Sequence, residues 1–377
     1  HLLSRRQRQM CIRDRGYVRA EDVPFIVEET GEVQKVEMKD DHTKVSISKT
    51  DITTGEEIEG AKLQILDKDG KVVEEWVSGE EHLIEYLPTG EYVLHEEQAP
   101  TEQGYVRAED VTFVVEETGE IQKVEMKDDY TKVSISKTDI TDGKEVQGAK
   151  LQIFDKDGKV VEEWTSGEEH LIEYLPTGEY TLHEEAAVDG YVVANDVAFT
   201  VKETGEIQKV EMKDERVMGV LKIHKTDGET GDNLEGVEFT LYEKESGKEV
   251  ASLVTDKNGN AESGQLPIGV YENGAFKEST VYVLKETKAL DGYQASEEEW
   301  EITFKYKDDQ TPVIEVLKEI QNEKAPVTTT TGAPQTGDDT NWIFPVMGLL
   351  AGGVCLAAVL IIHKRNARRA LHRRRRM

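Results

Sequence analysis

Between residues 16 and 324, apolar and polar positions alternate in short runs that end at Gly- or Pro-containing breaks. Alternation with a period of two predicts strands with one face toward a core. Leu63-Gln-Ile-Leu66, then Asp67-Lys-Asp-Gly70, then Lys71-Val-Val reads as a hairpin. Many such runs, broken by Asp-Gly, Thr-Gly and Pro-Thr-Gly, predict an all-β sandwich. One position departs from the pattern. Lys49 shares its strand face with Val45 and Ile47, Lys137 with Val133 and Ile135, and Lys225 with Leu221 and Ile223. An ammonium on a core face is poorly solvated, which favours its neutral, nucleophilic form.

The pattern repeats. Gly16-Tyr-Val-Arg-Ala-Glu-Asp-Val returns from Gly104 and, as Gly-Tyr-Val-Val-Ala-Asn-Asp-Val, from Gly190. The spacing of the lysines, 88 residues both times, is that of domains and not of solenoid repeats. Three units are expected, at 42–129, 130–215 and 216–324, with 16–41 the last strands of a fourth whose start lies upstream. The third unit is longer after Leu266-Pro-Ile-Gly269. Its extra segment Tyr271–Ser279 reads as a longer hairpin or a ligand-contacting loop.

Charge sharpens the picture. The chain carries a formal net charge of −31, yet residues 342–377 contain no acid and residues 5–15 are Arg-rich, so the acidity belongs to the repeats. Such a surface repels nucleic acid. Residues 1–15 match nothing in the repeats. Arg5–Arg15 resembles a translated sequencing adapter, with a basic arm as the alternative, and is set apart from the fold. The two cysteines, Cys11 and Cys355, both lie outside the repeats, so no disulfide is expected in the folded region. Asp67-Lys-Asp-Gly70 starts like a calcium loop, but its twelfth position is Ser78, where a glutamate is needed, so no metal site is assigned. Neither a cofactor motif nor an enzyme's nucleophile–base constellation is found.

The C-terminus indicates location. Residues 342–362 form an uncharged apolar run long enough for a transmembrane helix, followed by the basic tail 363–377. A basic flank stays cytoplasmic, which places the repeats outside. A Thr-rich linker, 325–341, precedes the run and contains Ala333-Pro334-Gln335-Thr336-Gly337. Pentapeptide, span and basic tail in this order resemble the sorting signal of Gram-positive cell-wall proteins, Leu-Pro-x-Thr-Gly, with Ala333 in place of leucine. The resemblance implies that a sortase transpeptidase attacks the Thr336 carbonyl, releases Gly337 onward and passes the acyl group to a peptidoglycan precursor or a neighbouring pilin. Leu87-Pro-Thr-Gly90 and Leu175-Pro-Thr-Gly178 lack the middle residue and are read as hairpin turns.

Each lysine has acidic counterparts on core faces. Glu96 shares a face with Tyr92 and Leu94, and Glu184 and Glu286 sit likewise in Tyr180–Glu184 and Tyr282–Glu286. Asp128 follows Val124 and Met126, and Asp214 repeats it. The third unit ends in Asn322, after an alternation that Lys318 interrupts. Together with Lys-Thr-Asp at 49–51, 137–139 and 225–227, and Tyr282-Val-Leu-Lys-Glu-Thr-Lys-Ala-Leu-Asp-Gly-Tyr293, these residues resemble the collagen-adhesin B-type (CnaB) domains that also build SpaA-type pilins. The resemblance covers 16–324 and implies a prealbumin-like, Ig-like sandwich. It also implies intramolecular isopeptide bonds in the trios Lys49–Glu96–Asp128, Lys137–Glu184–Asp214 and Lys225–Glu286–Asn322, with Asp40 an orphan acyl partner. The plain alternative is a strand-end lysine snorkelling to water beside a glutamate.

The implied role is structural and not enzymatic: a wall-anchored surface protein, either adhesin stalk or pilin-like subunit. Two variants stay open. The repeats are a spacer for an upstream ligand-binding head, or they belong to a backbone pilin whose Tyr-Pro-Lys-Asn-like polymerisation motif lies outside 16–324. A host or bacterial surface ligand is an open partner.

Overall fold

The computed structural model describes residues 15–326. The adapter-like segment up to residue 14, the sorting pentapeptide, the apolar run 342–362 and the basic tail lie outside the described residues. Among the described residues no helix is long and apolar enough to cross a membrane. The architecture of the described residues is all-β, with one short 3-10 turn at Thr101–Gln103.

In the first domain, two four-stranded sheets face each other. One is ordered His82–Glu85, Lys44–Asp51, Ile121–Tyr130, Tyr105–Val106; the other Val72–Val77, Lys62–Asp67, Gly90–Gln98, Val111–Val115. The first and last long strands, Lys44–Asp51 and Ile121–Tyr130, are parallel neighbours, with Lys49 opposite Met126 and Asp51 opposite Asp128. Parallel pairing requires a long crossover, and here the crossover is the rest of the domain. Val45, Ile47, Leu63, Ile65, Leu94 and Met126 fill the space between the sheets and are essentially inaccessible to solvent. The predicted alternation thus sorts side chains between core and solvent.

The second domain repeats this arrangement, with Lys132–Asp139 parallel to Ile207–Arg216. The third pairs Met218–Asp227 with Val313–Asn322 in a three-stranded sheet, opposite a four-stranded sheet built on Glu238–Glu243 and Val281–Lys288. The extra segment of the third domain is a hairpin, Gly269–Glu272 with Ala275–Ser279. It packs on the second domain. The Tyr271 hydroxyl donates to the Gly190 carbonyl at 2.7 Å, and the Gln147 N–H donates to the Gly274 carbonyl.

The first and second domains also meet closely. Tyr130, at the end of the first domain's last strand, stacks on Tyr174 at 4.0 Å. Gly104, at φ 82°, lies so close that a Cβ there would meet the Tyr174 backbone at 2.3 Å. Glycine is required by both the left-handed backbone and the contact.

Two expectations need correction. The Leu87–Gly90 and Leu175–Gly178 segments are not hairpin turns: His82–Glu85 belongs to one sheet and Gly90–Gln98 to the other. The segment crosses between sheets because Leu87 is buried in the core and Tyr86 adopts φ 66°. Asp67–Gly70 is a turn as expected; its carboxylate accepts the N–H groups of Asp69 and Lys71, leaving it engaged within its own turn. Residues 19–40 form no strand, although Tyr17–Val18 pairs with Asp41–His42 as Tyr105–Val106 pairs with the end of Ile121–Tyr130. Phe25, Val27 and Met38, whose counterparts 88 residues on are Phe113, Val115 and Met126, are exposed for want of a facing sheet among the described residues.

Candidate functional site: three buried lysine trios

The parallel register puts Lys49 and Asp128 diagonally adjacent on the core face, and the facing sheet supplies Glu96. All three are at most 2% exposed. Lys49 Nζ donates to Asp128 Oδ1 and, at 2.9 Å, to Glu96 Oε2. The second domain brings Lys137 onto Asp214 and, at 2.9 Å, Glu184. In the third, Lys225 Nζ lies 2.5 Å from Asn322 Oδ1 and 3.1 Å from Glu286 Oε2, while Asn322 Nδ2 donates to Glu286 Oε1 at 2.6 Å. The nine residues singled out in sequence therefore meet as three trios. Asp40 does not join one; its carboxylate accepts the exposed Ala20 N–H.

Local irregularity places each glutamate. A β-bulge follows it: Leu63 pairs with Glu96 but Lys62 with Gln98, and the shift recurs at Glu184 and Glu286. Bulges re-aim side chains beside functional sites. The Ala108 and Ala194 N–H groups then donate to Oε2 of Glu96 and Glu184, at 2.7 and 2.6 Å. Lys318 interrupts the apolar alternation without shifting the strand: it is half-buried on the core-facing register, its ammonium 5.9 Å from the Trp300 ring, while Leu317 is exposed.

Protonation follows from burial. Desolvation, reinforced by the Glu96 carboxylate and opposed by Lys49, pushes Asp128 up to about 7. Desolvation raises Asp214 to about 7 as well, against Lys137 and with Glu184. Lys225 is lowered by desolvation, against the pull of Glu286. Glu96 Oε1 and Asp128 Oδ2 are buried without a hydrogen-bond partner, as are Glu184 Oε1 and Asp214 Oδ2. A proton on Asp128 and on Asp214 supplies a donor toward the neighbouring glutamate. Such a site can hold a neutral carboxyl beside an amine that has a nearby proton acceptor.

Sequence reading missed a second set of buried carboxylates, Asp51, Asp139 and Asp227. The Asp51 side chain accepts the Thr53 and Thr54 N–H groups and the Tyr174 hydroxyl. Asp139 accepts the Thr141 N–H, the Tyr191 hydroxyl and Arg216 Nε. Asp227 accepts the Glu229 and Thr230 N–H groups and the Tyr293 hydroxyl, and pairs with Lys324 at 3.2 Å. The available signal was their spacing, two residues beyond each lysine on the same face. No cluster of three or more His, Cys, Asp or Glu side chains suited to a metal occurs among the described residues.

Fold and trios define a tandem array of prealbumin-like domains, each with a lysine buried between its terminal strands and the facing sheet. The SpaA prealbumin-like fold domain family matches at 43–130, 131–216 and 219–320, and the chain belongs to that family. Among solved structures, the Bacillus anthracis TIE protein is similar, at 29% identity and TM-score 0.50, over 78% of this chain and 55% of that one. The chain thus spans little more than half of that protein. The major pilin subunit BcpA of Bacillus cereus aligns at 18% identity and TM-score 0.43, over 75% of this chain and 99% of its own. A streptococcal ancillary pilin aligns at 17% and 0.32, over 75% and 99%. No curated protein matches.

Proposed function

We propose that each domain closes itself with an isopeptide bond, Lys49 to Asp128, Lys137 to Asp214 and Lys225 to Asn322, and that the array is an extracellular, self-crosslinked stalk. The supporting observation is the burial of each lysine amine against both its acyl partner and a glutamate.

The lysine proton passes to the glutamate, leaving a neutral amine. Nζ attacks Asp128 Cγ, an N–C bond forms, and the protonated glutamate donates to the acyl oxygen. Nζ gives up its second proton, through the glutamate, to the leaving group; the C–O bond then breaks and water leaves, and at Asn322 the C–N bond breaks and ammonia leaves. Packing holds amine and carbonyl in contact, which supplies effective molarity. Each trio reacts once, on itself.

The surface role is supported by the order of Thr-rich linker, Ala333–Gly337, apolar run and basic tail. On this reading a sortase cleaves after Thr336 and joins the chain to a cell-wall amine. The stalk, in preference to a flexible spacer, is supported by the close-packed junctions at Gly104–Tyr174 and Gly190–Tyr271.

Site-resolved mass spectrometry of the full chain is the test. Branched peptides joining Lys49 to Asp128 and Lys137 to Asp214, each lighter by one water, and Lys225 to Asn322, lighter by one ammonia, are expected. Glu96→Ala should abolish the first and spare the others. Linear peptides throughout the wild-type chain would refute the reading.

A further inference from the structure

In every domain, the residue after the Lys-Thr-Asp carboxylate reaches the acyl partner. The Ile52 N–H donates to the Asp128 carbonyl, Ile140 to Asp214 and Gly228 to Asn322, each at 3.0 Å. This contact holds the end of the terminal strand beside the lysine-bearing strand, where the parallel ladder stops at Asp51 and Asp128. What shapes the turn that delivers the N–H is the aspartate itself. Its Oδ1 gathers the N–H groups two or three residues on, in all three domains.

The other oxygen, Oδ2, accepts a tyrosine of its own domain in the second and third domains, Tyr191 and Tyr293, but a tyrosine of the next domain in the first. In the first domain it accepts the hydroxyl of Tyr174, a residue of the second domain. In the second it also accepts Arg216, the last residue of that domain's own terminal strand, whose guanidinium stacks 4.2 Å from the Tyr271 ring of the third domain. In the third it meets Lys324, in the segment leading out of the array. A buried carboxylate lacking one of its donors is costly to keep in place. In the first domain the turn it shapes is therefore fully supported only after the second domain has docked.

We propose that Asp51 is a positioning residue for the bond-forming trio of the first domain, completed by a donor from the domain that follows, Tyr174. Closure of the first domain is coupled to docking of the second, so this bond matures with its junction already formed. This rests on the isopeptide reading above.

The test follows bond formation in the full chain during cell-free synthesis, with denaturing quenches and digestion to count branched against linear peptides. Tyr174→Phe removes one hydroxyl and keeps the ring that stacks on Tyr130. The expected result is Lys49–Asp128 bond formation slower by about fivefold, the worth of one hydrogen bond, with Lys137–Asp214 unchanged. That asymmetry separates positioning from a general defect, because Tyr174 belongs to the second domain and a weakened fold would slow the second trio. Asp51→Asn, which retains one acceptor oxygen where three donors converge, should slow the first domain alone. Wild-type rates at Lys49–Asp128 in both variants would overturn the proposal, as would equal slowing at both trios. A wild-type chain without branched peptides would instead remove the isopeptide reading itself.

Discussion

Asp128 and Asn322 occupy the same place in their domains and differ in one respect that matters for the chemistry: the carboxyl titrates and the amide does not. A carboxylate anion resists attack, so Asp128 and Asp214 must be protonated to lose water. Burial raises both to about 7. Since the raised pKa keeps the neutral form populated below that value, bond formation in the first two domains should be fast at pH 5–6 and fall as pH rises through about 7. The third domain needs only proton transfer from Lys225 to Glu286, and its rate should not fall over the same window. Site-resolved mass spectra of chains synthesised at pH 6 and pH 8 measure the contrast; parallel profiles in all three domains would contradict it. Asp128→Asn should remove the fall in the first domain and change its loss from water to ammonia. At this scale the trios were legible because a period of two leaves a lysine nowhere to go but the core face, and the repeat brings its partners along. Asp51, Asp139 and Asp227 were not, because an aspartate at a strand end reads as turn chemistry, and the Tyr174 donor to Asp51 comes from the next domain.

Among the elements, the parallel pair of first and last strands decides what a crosslink is worth. Linking Lys49 to Asp128 closes a loop of 79 residues, for which chain-entropy reasoning gives about 4–5 kcal/mol. Glu96→Ala removes the proton carrier while leaving the Lys49–Asp128 pair in place. The melting transition of the first domain should therefore fall by roughly 20 °C, at about 4–8 °C per kcal/mol for a domain of this size. Scanning calorimetry of the variant reads this directly, and an unshifted transition would mean that no crosslink was lost. The strands themselves could be located from alternation, and Asp67–Gly70 from its turn residues. Their assignment to sheets could not. Leu87-Pro88-Thr89-Gly90 joins two strands as a hairpin turn would, yet it carries the chain from one sheet to the other. The bulge after Glu96 was equally hidden, since a single extra residue at the end of an alternating run leaves no periodic trace.

Over the whole molecule, the path of a stretching force follows from where the chain enters and leaves each domain. It enters the first domain at Lys44–Asp51 and leaves along Ile121–Tyr130, which runs directly into Lys132–Asp139 of the second. The proposed bonds tie each entry strand to its exit strand, so tension passes from lysine to acyl partner and bypasses most of the sandwich between them. The junctions continue the path: Tyr130 on Tyr174, and the Gly269–Ser279 hairpin on the second domain. That hairpin was visible in sequence as an added segment, but its partner surface belongs to another repeat, and nothing in its own residues pointed there. Pulled end to end in a single-molecule experiment, the wild-type array should show no unfolding step from any of its three domains. Glu96→Ala opens the bypass in the first domain only. The 79 residues between Lys49 and Asp128 then become extensible, and at about 3.5 Å per residue they should add a single step of roughly 25 nm. Steps of that size in the wild-type trace would show that its load runs through hydrogen bonds alone.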